Sequence, residues 1–286
     1  MNISVLIITH NEATNILSCI QSLDWTDDII VLDSYSDDNT LSMAQNLGAR
    51  VYQRKFDNFA AQRNYALDSF EFKYDWVLHL DADEIVTSKL FDEMSQAIKI
   101  NKYDAYQVPS KTMLFGKWLR YSGMYPVYQV RLGHKNRLRF KQVGHGQRED
   151  LSPNRIGTLK EPYLHYSFSK GFAHWLDKHN HYSTNEALEF IKSKDDFAII
   201  NWINIFSINR TRRRRALNKL SYLFPFRPLQ RFIYMYFFRL GFLDGYLGLI
   251  YCRLLAIYEY MIELKIRELK SNNKCKDINK KIIKKF

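Results

Sequence analysis

Neither of the glycine-rich loops that cradle phosphates occurs in this chain: there is no GxGxxG and no GxxxxGK(S/T). The first absence argues against a dinucleotide-dependent oxidoreductase and the second against a P-loop enzyme, since both need glycines where backbone must touch phosphate. Cysteine is scarce as well. Cys19, Cys252 and Cys275 are odd in number, far apart and without metal-ligand spacing. A disulfide framework and a zinc site are thereby disfavoured, and a reducing cytoplasm is the expected setting. The opening MNISVLIITHNE has no basic flank and an apolar run far shorter than a secretory core, so it reads as a first strand. No run of about 18 apolar residues free of charge exists either. The most apolar region is interrupted by Arg239, Asp244, Arg253 and Glu259, which disfavours a simple membrane span.

The front of the chain has little positive charge and the rear little negative charge. Residues 1–100 carry 7 Lys and Arg against 16 Asp and Glu, residues 101–200 carry 16 against 9, and residues 201–286 carry 19 against 5. An acidic front and a basic, aromatic rear imply two tasks on two surfaces, the rear facing an anionic partner. The hydrophobic fraction of 46% is enough to fill a substantial core.

Residues 3–8 (ISVLII), Ile29–Leu32 and Trp76–Leu80 are short apolar runs bounded by polar clusters, the pattern of buried parallel strands. Between them Ala13–Leu23 and Thr40–Leu47 have helical spacing, the second stopping at Gly48, and Arg50–Gln53 resumes strand character. Alternation of this kind predicts βαβ units in an open, twisted, mostly parallel sheet with helices on both faces. Ligands of such sheets bind beyond the carboxyl ends of the strands, which here are Thr9–Glu12, Asp33–Asp38 and Asp81–Glu84. Tyr103–Leu164 is mixed strand and loop, expected to face the second substrate. Phe168–Lys192 reads as helix, and residues 195–286 read as a basic helical appendage interrupted by Pro225, Pro228 and Gly241–Gly248. The expected division is a catalytic domain over 1–195, with a nucleotide half over 1–100 and an acceptor half over 101–195, followed by the appendage over 196–286.

Asp81-Ala82-Asp83 ends the WVLHL strand, where residues two apart project to one side, so both carboxylates are expected to face one point. A diphosphate with Mg²⁺ or Mn²⁺ is the natural occupant, because these ions take oxygen ligands and complete their shell with substrate phosphates. The plain alternative is a solvated strand-end loop capping the next helix. Thr9-His10-Asn11-Glu12 brings a hydroxyl, an amide and free helix N–H groups to the place where a nucleotide could lie, although an ordinary N-cap turn would look the same. Asp37 or Asp38 is expected to cap a helix, which leaves Asp33 to accept from a base or ribose.

The succession SVLIITHNE, IIVLDSYSDDNT, QRNYAL and WVLHLDADE resembles the nucleotide-binding half of family 2 inverting glycosyltransferases. The resemblance implies a GT-A fold and a nucleotide-sugar donor, UDP-hexose being the simplest. It places Thr9, Asn11 and Glu12 beside the nucleoside, Asp33 on the uracil or equivalent base, and Arg63 near the donor. Asp81 would approach the ribose or sugar, and Asp83 would hold the metal. Further on, VGHGQRED, His179–Ser183 and Gly241–Gly245 resemble the bacterial subgroup that builds lipopolysaccharide core or related surface polysaccharides. One departure is that His145-Gly146 stands where many relatives carry His-Glu, so the catalytic base is sought at Glu149 or Asp150. Neighbours in an extended segment point to opposite sides, and Glu149 has the longer reach. The competing readings are a nucleotidyltransferase and a catalytically inactive membrane-binding module of the same fold.

His174, His179 and His181 have aromatic neighbours and read as packing or surface residues. Arg210–Arg215 and the Lys-rich tail flank the aromatic stretch Leu229–Leu264, a composition suited to an anionic membrane surface and, without any accompanying signature, not to nucleic acid. The expected setting is peripheral, on the cytoplasmic face of the inner membrane, with a glycan or lipid-linked glycan as acceptor.

Overall fold

The computed structural model describes residues 3–143, 146–192 and 226–283, leaving out the side chains of 192 and 272–283. Arg210–Arg215, His145, Lys284 and Lys285 lie outside these residues, and the side chains of Cys275, Lys280 and Lys281 are among those left out. The chain divides into two compact units, residues 1–175 and 176–286.

The first unit is built on the apolar runs. Ile3–Thr9 (β1), Ile29–Asp33 (β2), Arg50–Gln53 (β3) and Trp76–Asp81 (β4) pair in parallel in the order β3-β2-β1-β4. All seven residues of β1 are buried, as a strand covered on both faces requires. Alternation along the strands sorts the core. Ile3, Val5, Ile7 and Leu78 pack with Ile16–Gln21 (α1), Thr40–Asn46 (α2) and Ser88–Ile100 (α4), while Leu6, Ile8, Leu32 and Val77 pack with Phe59–Ser69 (α3). Side chains fix two of the helix starts: Asn58 accepts from Ala61 N at 2.8 Å and Thr87 from Leu90 N at 3.2 Å.

Beyond β4 the sheet becomes mixed. Val127–His134 (β8) runs antiparallel to β4 and to Ala105–Leu114 (β6), and Tyr163–His165 (β12) lies parallel to β6 and antiparallel to Glu84–Ile85 (β5). Two short strands, Lys117–Trp118 (β7) and Ile156–Thr158 (β11), also pair with β6. This mixed half carries chain from beyond residue 120 back to the carboxyl edge of β4. A separate two-stranded ribbon, Phe140–Val143 (β9) with Gly146–Glu149 (β10), is tied to α3 by a double hydrogen bond between the Asn64 amide and the Phe140 backbone, at 2.8 and 2.9 Å.

α1 is shorter than its apolar spacing suggests. The N–H groups of Asn11, Glu12 and Ala13 donate to Ser36 Oγ, Thr40 Oγ1 and Asp38 Oδ2 at 2.8, 2.7 and 3.1 Å. These donors, expected to be free for a nucleotide, instead bind the first loop to the second, and Asn11 takes a φ of 55° to allow it.

Gly171–Lys192 (α5) is helical, close to the bounds its spacing predicts. In the second unit Arg227–Ile233 (α6) runs into a wide turn at Tyr234–Phe238 and a tight one at Gly241–Asp244, and the long helix Gly245–Ile283 (α7) follows. Pro228 does not interrupt a helix; it occupies the first turn of α6, where its missing N–H costs nothing. Gly248 lies inside α7, and a Cβ there would come within 2.1 Å of the Gly241 carbonyl oxygen. Glycine at this position lets the tight turn press against the helix.

Candidate active site

Register brings the strand ends together. Thr9 is the cross-strand partner of Asp33, Asp33 of Gln53, and Ile8 of Asp81, so one edge of the sheet carries Thr9, Asp33, Gln53 and Asp81 side by side. Asp33 is fully buried, and its carboxylate receives Thr9 Oγ1 at 2.9 Å, Ser36 Oγ at 2.5 Å, Ser36 N at 2.8 Å and Gln53 Nε2 at 3.4 Å. Four donors saturate a carboxylate. In this structure Asp33 is therefore not free to accept from a base; it fixes the second loop against the first strand. The Gln53 contact is the long one and the easiest to exchange.

The two carboxylates of the DAD sequence are held by different partners. β4 ends at Asp81, and Asp83 lies in the turn beyond it. Asp81 sits between two guanidinium groups, Arg63 at 2.7 Å and Arg131 at 2.8 Å, and Arg131 also contacts Glu84. Both arginine side chains are almost wholly buried, at 1% and 4% exposure, while Asp81 keeps 34%. Burial alone would raise Asp81, but the charges of Arg131 and Arg63 outweigh it and hold the carboxyl well below its usual range. Glu84, fully buried and sharing Arg131 with Asp81, is pushed up to about 7 by burial. Burial likewise brings Arg63 down to about 10. Asp81 is thus the centre of a buried ionic cluster.

Asp83 has a different partner. Its carboxylate is 3.3 Å from His165 Nε2, and its carbonyl accepts from Tyr166 N at 2.8 Å. Pairing of β12 with β5 sets His165 opposite Glu84. Burial pushes His165 down, yet the neighbouring Asp83 carboxylate raises it above the ordinary imidazole value. Among the described residues no group of three or more His, Cys, Asp and Glu is arranged to hold a metal. Asp83 and His165 form a pair, one oxygen and one nitrogen donor.

Glu12 lies within electrostatic reach of Asp83. Its carboxylate contacts Lys170 Nζ at 2.5 Å and accepts from Asn15 Nδ2 at 2.6 Å, and burial raises it despite both. Lys170 Nζ also reaches the His10 carbonyl at 3.3 Å, so one cation rests on the first loop at the mouth of the cleft.

The family model for glycosyl transferase family 2 matches residues 4–156, just over half of the chain and almost all of the sheet just described. The chain belongs to glycosyl transferase family 2. An uncharacterized glycosyltransferase of Rickettsia bellii (strain RML369-C) is 30% identical over 203 residues, covering 66% of this chain and 68% of that protein. One from Rickettsia conorii (strain ATCC VR-613 / Malish 7) is 30% identical over 204 residues, covering 66% and 71%. Among solved structures, S. aureus TarS 1–349 aligns at 16% identity and a TM-score of 0.44, covering 95% of this chain and 92% of that one.

The glycosyltransferase is an α/β protein of GT-A type, with the helical region following. Of its two candidate bases, Asp150 is paired with Lys141 at 2.8 Å on an exposed surface, whereas Glu149 is partly buried at the root of the ribbon and has no salt-bridge partner among the described residues. Glu149 is the register partner of Phe140, which Asn64 holds against α3 one residue from Arg63. Sequence reasoning passed over Arg131, His165 and Lys170, and reached Glu84 only as the last residue of the Asp81–Glu84 cluster, without a role. A lone arginine between Val130 and Leu132 in an apolar strand is a signal that would have found Arg131, since such a charge is rarely buried unpaired. His165 closes the short PYLH run and is legible only once β12 is paired with β5.

Proposed function

We propose that this glycosyltransferase moves a sugar, most simply from a UDP-hexose, onto a glycan or lipid-linked glycan of bacterial lipopolysaccharide core or a related surface polysaccharide, with inversion at the anomeric carbon. The observation that carries the donor half is the Asp83–His165 pair, which lies just beyond the carboxyl end of β4 within electrostatic reach of Glu12, itself paired with Lys170. A small donor set of one carboxylate and one imidazole suits a divalent cation that completes its shell with substrate phosphates. Asp83 and His165 would hold such an ion, Mg²⁺ or Mn²⁺, which supplies neutralisation of the charge growing on the departing diphosphate.

The remaining roles belong to the protein's own groups. Lys170, paired with Glu12 on the first loop, would turn to a phosphate oxygen. Gln53 and Asp33 would meet the base once their mutual contact opens, with Thr9, Asn11 and Glu12 shaping the pocket around the nucleoside. Arg63 and Arg131 hold Asp81 ionised and rigid at the floor, where it would meet the ribose or sugar. Glu149 is the base for the acceptor hydroxyl: inversion needs a single displacement, and this carboxylate has no salt-bridge partner among the described residues to compete for its lone pairs. The polysaccharide setting draws support from the VGHGQRED, His179–Ser183 and Gly241–Gly245 resemblances.

A thermal-shift screen of nucleoside diphosphates and their sugars, with Mn²⁺, Mg²⁺ or chelator, tests the donor reading, because a ligand of the folded state raises the melting temperature by mass action. Stabilisation by UDP or UDP-sugars that requires the cation is the expected outcome. Stabilisation by nucleoside triphosphates only would point to nucleotidyl transfer.

A further inference from the structure

The second unit concentrates exposed apolar surface in one stretch. Ten large apolar side chains between residues 226 and 246 are more than a third exposed, as many as in all the described residues of the first unit. Phe226, Phe237, Phe238, Leu243 and Tyr246 are 72%, 55%, 76%, 52% and 74% exposed. A contiguous patch of this kind needs a partner.

The patch is built, not frayed. Its inner side is packed: Met235 and Cys252 are fully buried, Arg227 pairs with Glu259 at 2.9 Å, and Tyr236 stacks on Phe232 at 5.3 Å. Leu240 takes a φ of 60° to reverse the chain. A Cβ at Gly241 would meet the Met235 carbonyl at 2.7 Å and Cys252 Sγ at 2.9 Å, so only glycine lets the bend sit on α7. A fixed inner face forces the aromatic outer face toward solvent.

Charge identifies the occupant. From Arg227 to Leu243 there is no acidic residue, while Arg231 and Arg239 stand among the aromatics. A shallow groove of about 480 Å³ runs between α6 and α7, lined by Pro228, Leu229, Phe232, Ala256 and Ile257, with Arg253 as its charged member. Apolar lining with one arginine suits an acyl chain whose phosphate meets the guanidinium. A two-fold contact between copies of this chain would set the same arginines against one another.

Length decides how the patch meets a lipid layer. No single described helix is long and apolar enough to cross a membrane, but Arg227–Phe238 and Gly241–Ser271 together pass by length and composition, with a bend of 72° between them. The first stretch spans only about 18 Å at 1.5 Å per residue, against a hydrocarbon core of about 30 Å. The second carries Arg253, Glu259, Glu263 and Lys265. Neither is suited to cross alone, whereas a bent, one-sided apolar face fits the interface of one leaflet.

We propose that residues 226–246 form a monotopic membrane seat, the aromatic outer face sunk to the acyl boundary of an anionic bilayer and Arg231, Arg239 and Arg253 at the lipid phosphates. The inference rests on the second unit alone and is independent of the transfer reaction. Full-length protein is sedimented with vesicles of phosphatidylcholine alone or mixed with phosphatidylglycerol. Wild type should sediment with the mixed vesicles and keep part of its binding in high salt, because insertion is not screened. Phe237→Ser/Phe238→Ser should lower the partition coefficient at least about tenfold, two rings having left the lipid, with an unchanged melting temperature. Arg231→Gln/Arg239→Gln should lose the preference for anionic lipid. If the serine variant does not fold, Leu243→Trp read with brominated lipid replaces it, and quenching beyond that of the native tryptophans is expected. Failure of wild type to sediment with either vesicle, wild-type binding by the serine variant, or no added quenching in Leu243→Trp overturns the proposal. A dimer in sedimentation velocity that the serine variant breaks, without vesicle binding, assigns the face to a second copy instead.

Discussion

The first unit gathers Arg63, Asp81, Arg131 and Glu84 into one cluster beneath its sheet edge, whereas the second leaves ten large apolar side chains on the surface of one bend. Both placements run against the general partition of charged groups outward and apolar groups inward. In the first, the cost of desolvating two arginines is met by the Asp81 carboxylate, at 2.7 and 2.8 Å from them, and by Glu84, and the result is an Asp81 held ionised at a fixed point. In the second the rings touch one another, yet Phe237 and Phe238 stay more than half exposed. Inverted burial therefore has two meanings: inside a cleft it prepares a site, and on a rigid bend it prepares a surface.

Mutation should separate the two meanings sharply. Arg131→Met strands Glu84 and half of Asp81 without a cation, so chemical denaturation should show a loss of about 3–5 kcal/mol. Phe237→Ser/Phe238→Ser, by contrast, should stay within about 0.5 kcal/mol of wild type per residue, as surface changes do. Equal losses in both variants would mean that the bend is a packed core element and would erase the contrast.

Within the first unit, substitutions at the acidic groups should change turnover and leave stability alone. Asp83→Asn should lower turnover roughly 10²–10³-fold, the scale of removing one group that stabilises developing charge, with the melting temperature near wild type. Glu149→Gln should lower kcat by roughly 10²–10⁴-fold while donor affinity holds, because a base acts chiefly in the transition state. Asp150→Asn should be mild, its carboxylate being engaged with Lys141 on the surface. A dead Asp150 variant beside an active Glu149 variant would exchange their roles.

A smaller effect is expected from pH. Asp83 raises the folded-state value of His165 above its unfolded one, so the stability this pair contributes is complete below the ordinary imidazole range and is lost as pH rises through the raised value. A cation must displace the same proton, so Mn²⁺-dependent binding of UDP should weaken several-fold between about pH 8 and about pH 6. His165→Asn should flatten that dependence. Titration calorimetry at the two pH values checks it.

Much of this was legible in the sequence, for reasons that follow from the contacts. ISVLII, IIVL and WVLHL are continuous apolar runs because β1, β2 and β4 are covered on both faces, so they announce a parallel sheet and, with it, the edge where ligands bind. The partners of the DAD carboxylates were not legible. Arg131 and His165 lie 50 and 82 residues beyond Asp81 and Asp83 and arrive through antiparallel pairings of β8 and β12 that no local pattern encodes. Geometry also separated what spacing had joined: a turn after Asp81 sends the two carboxylates to different partners. Asp33 shows the same limit, since only the fold reveals Thr9, Ser36 and Gln53 closing around it. In the second unit aromatic and basic composition suggested a lipid surface, but the bend that displays it depends on Gly241 and Gly248 meeting across a turn.

In the proposed transfer a nucleotide diphosphate and a divalent cation would meet at Asp83 and His165. Titration calorimetry of UDP into wild type and Asp83→Asn, each with Mn²⁺ and with chelator, measures this directly. Mn²⁺ should tighten UDP binding to wild type by at least about tenfold, a coupling of roughly 1.4 kcal/mol, and leave Asp83→Asn unaffected. Equal affinity of wild type with and without Mn²⁺, or equal tightening in Asp83→Asn, would contradict it.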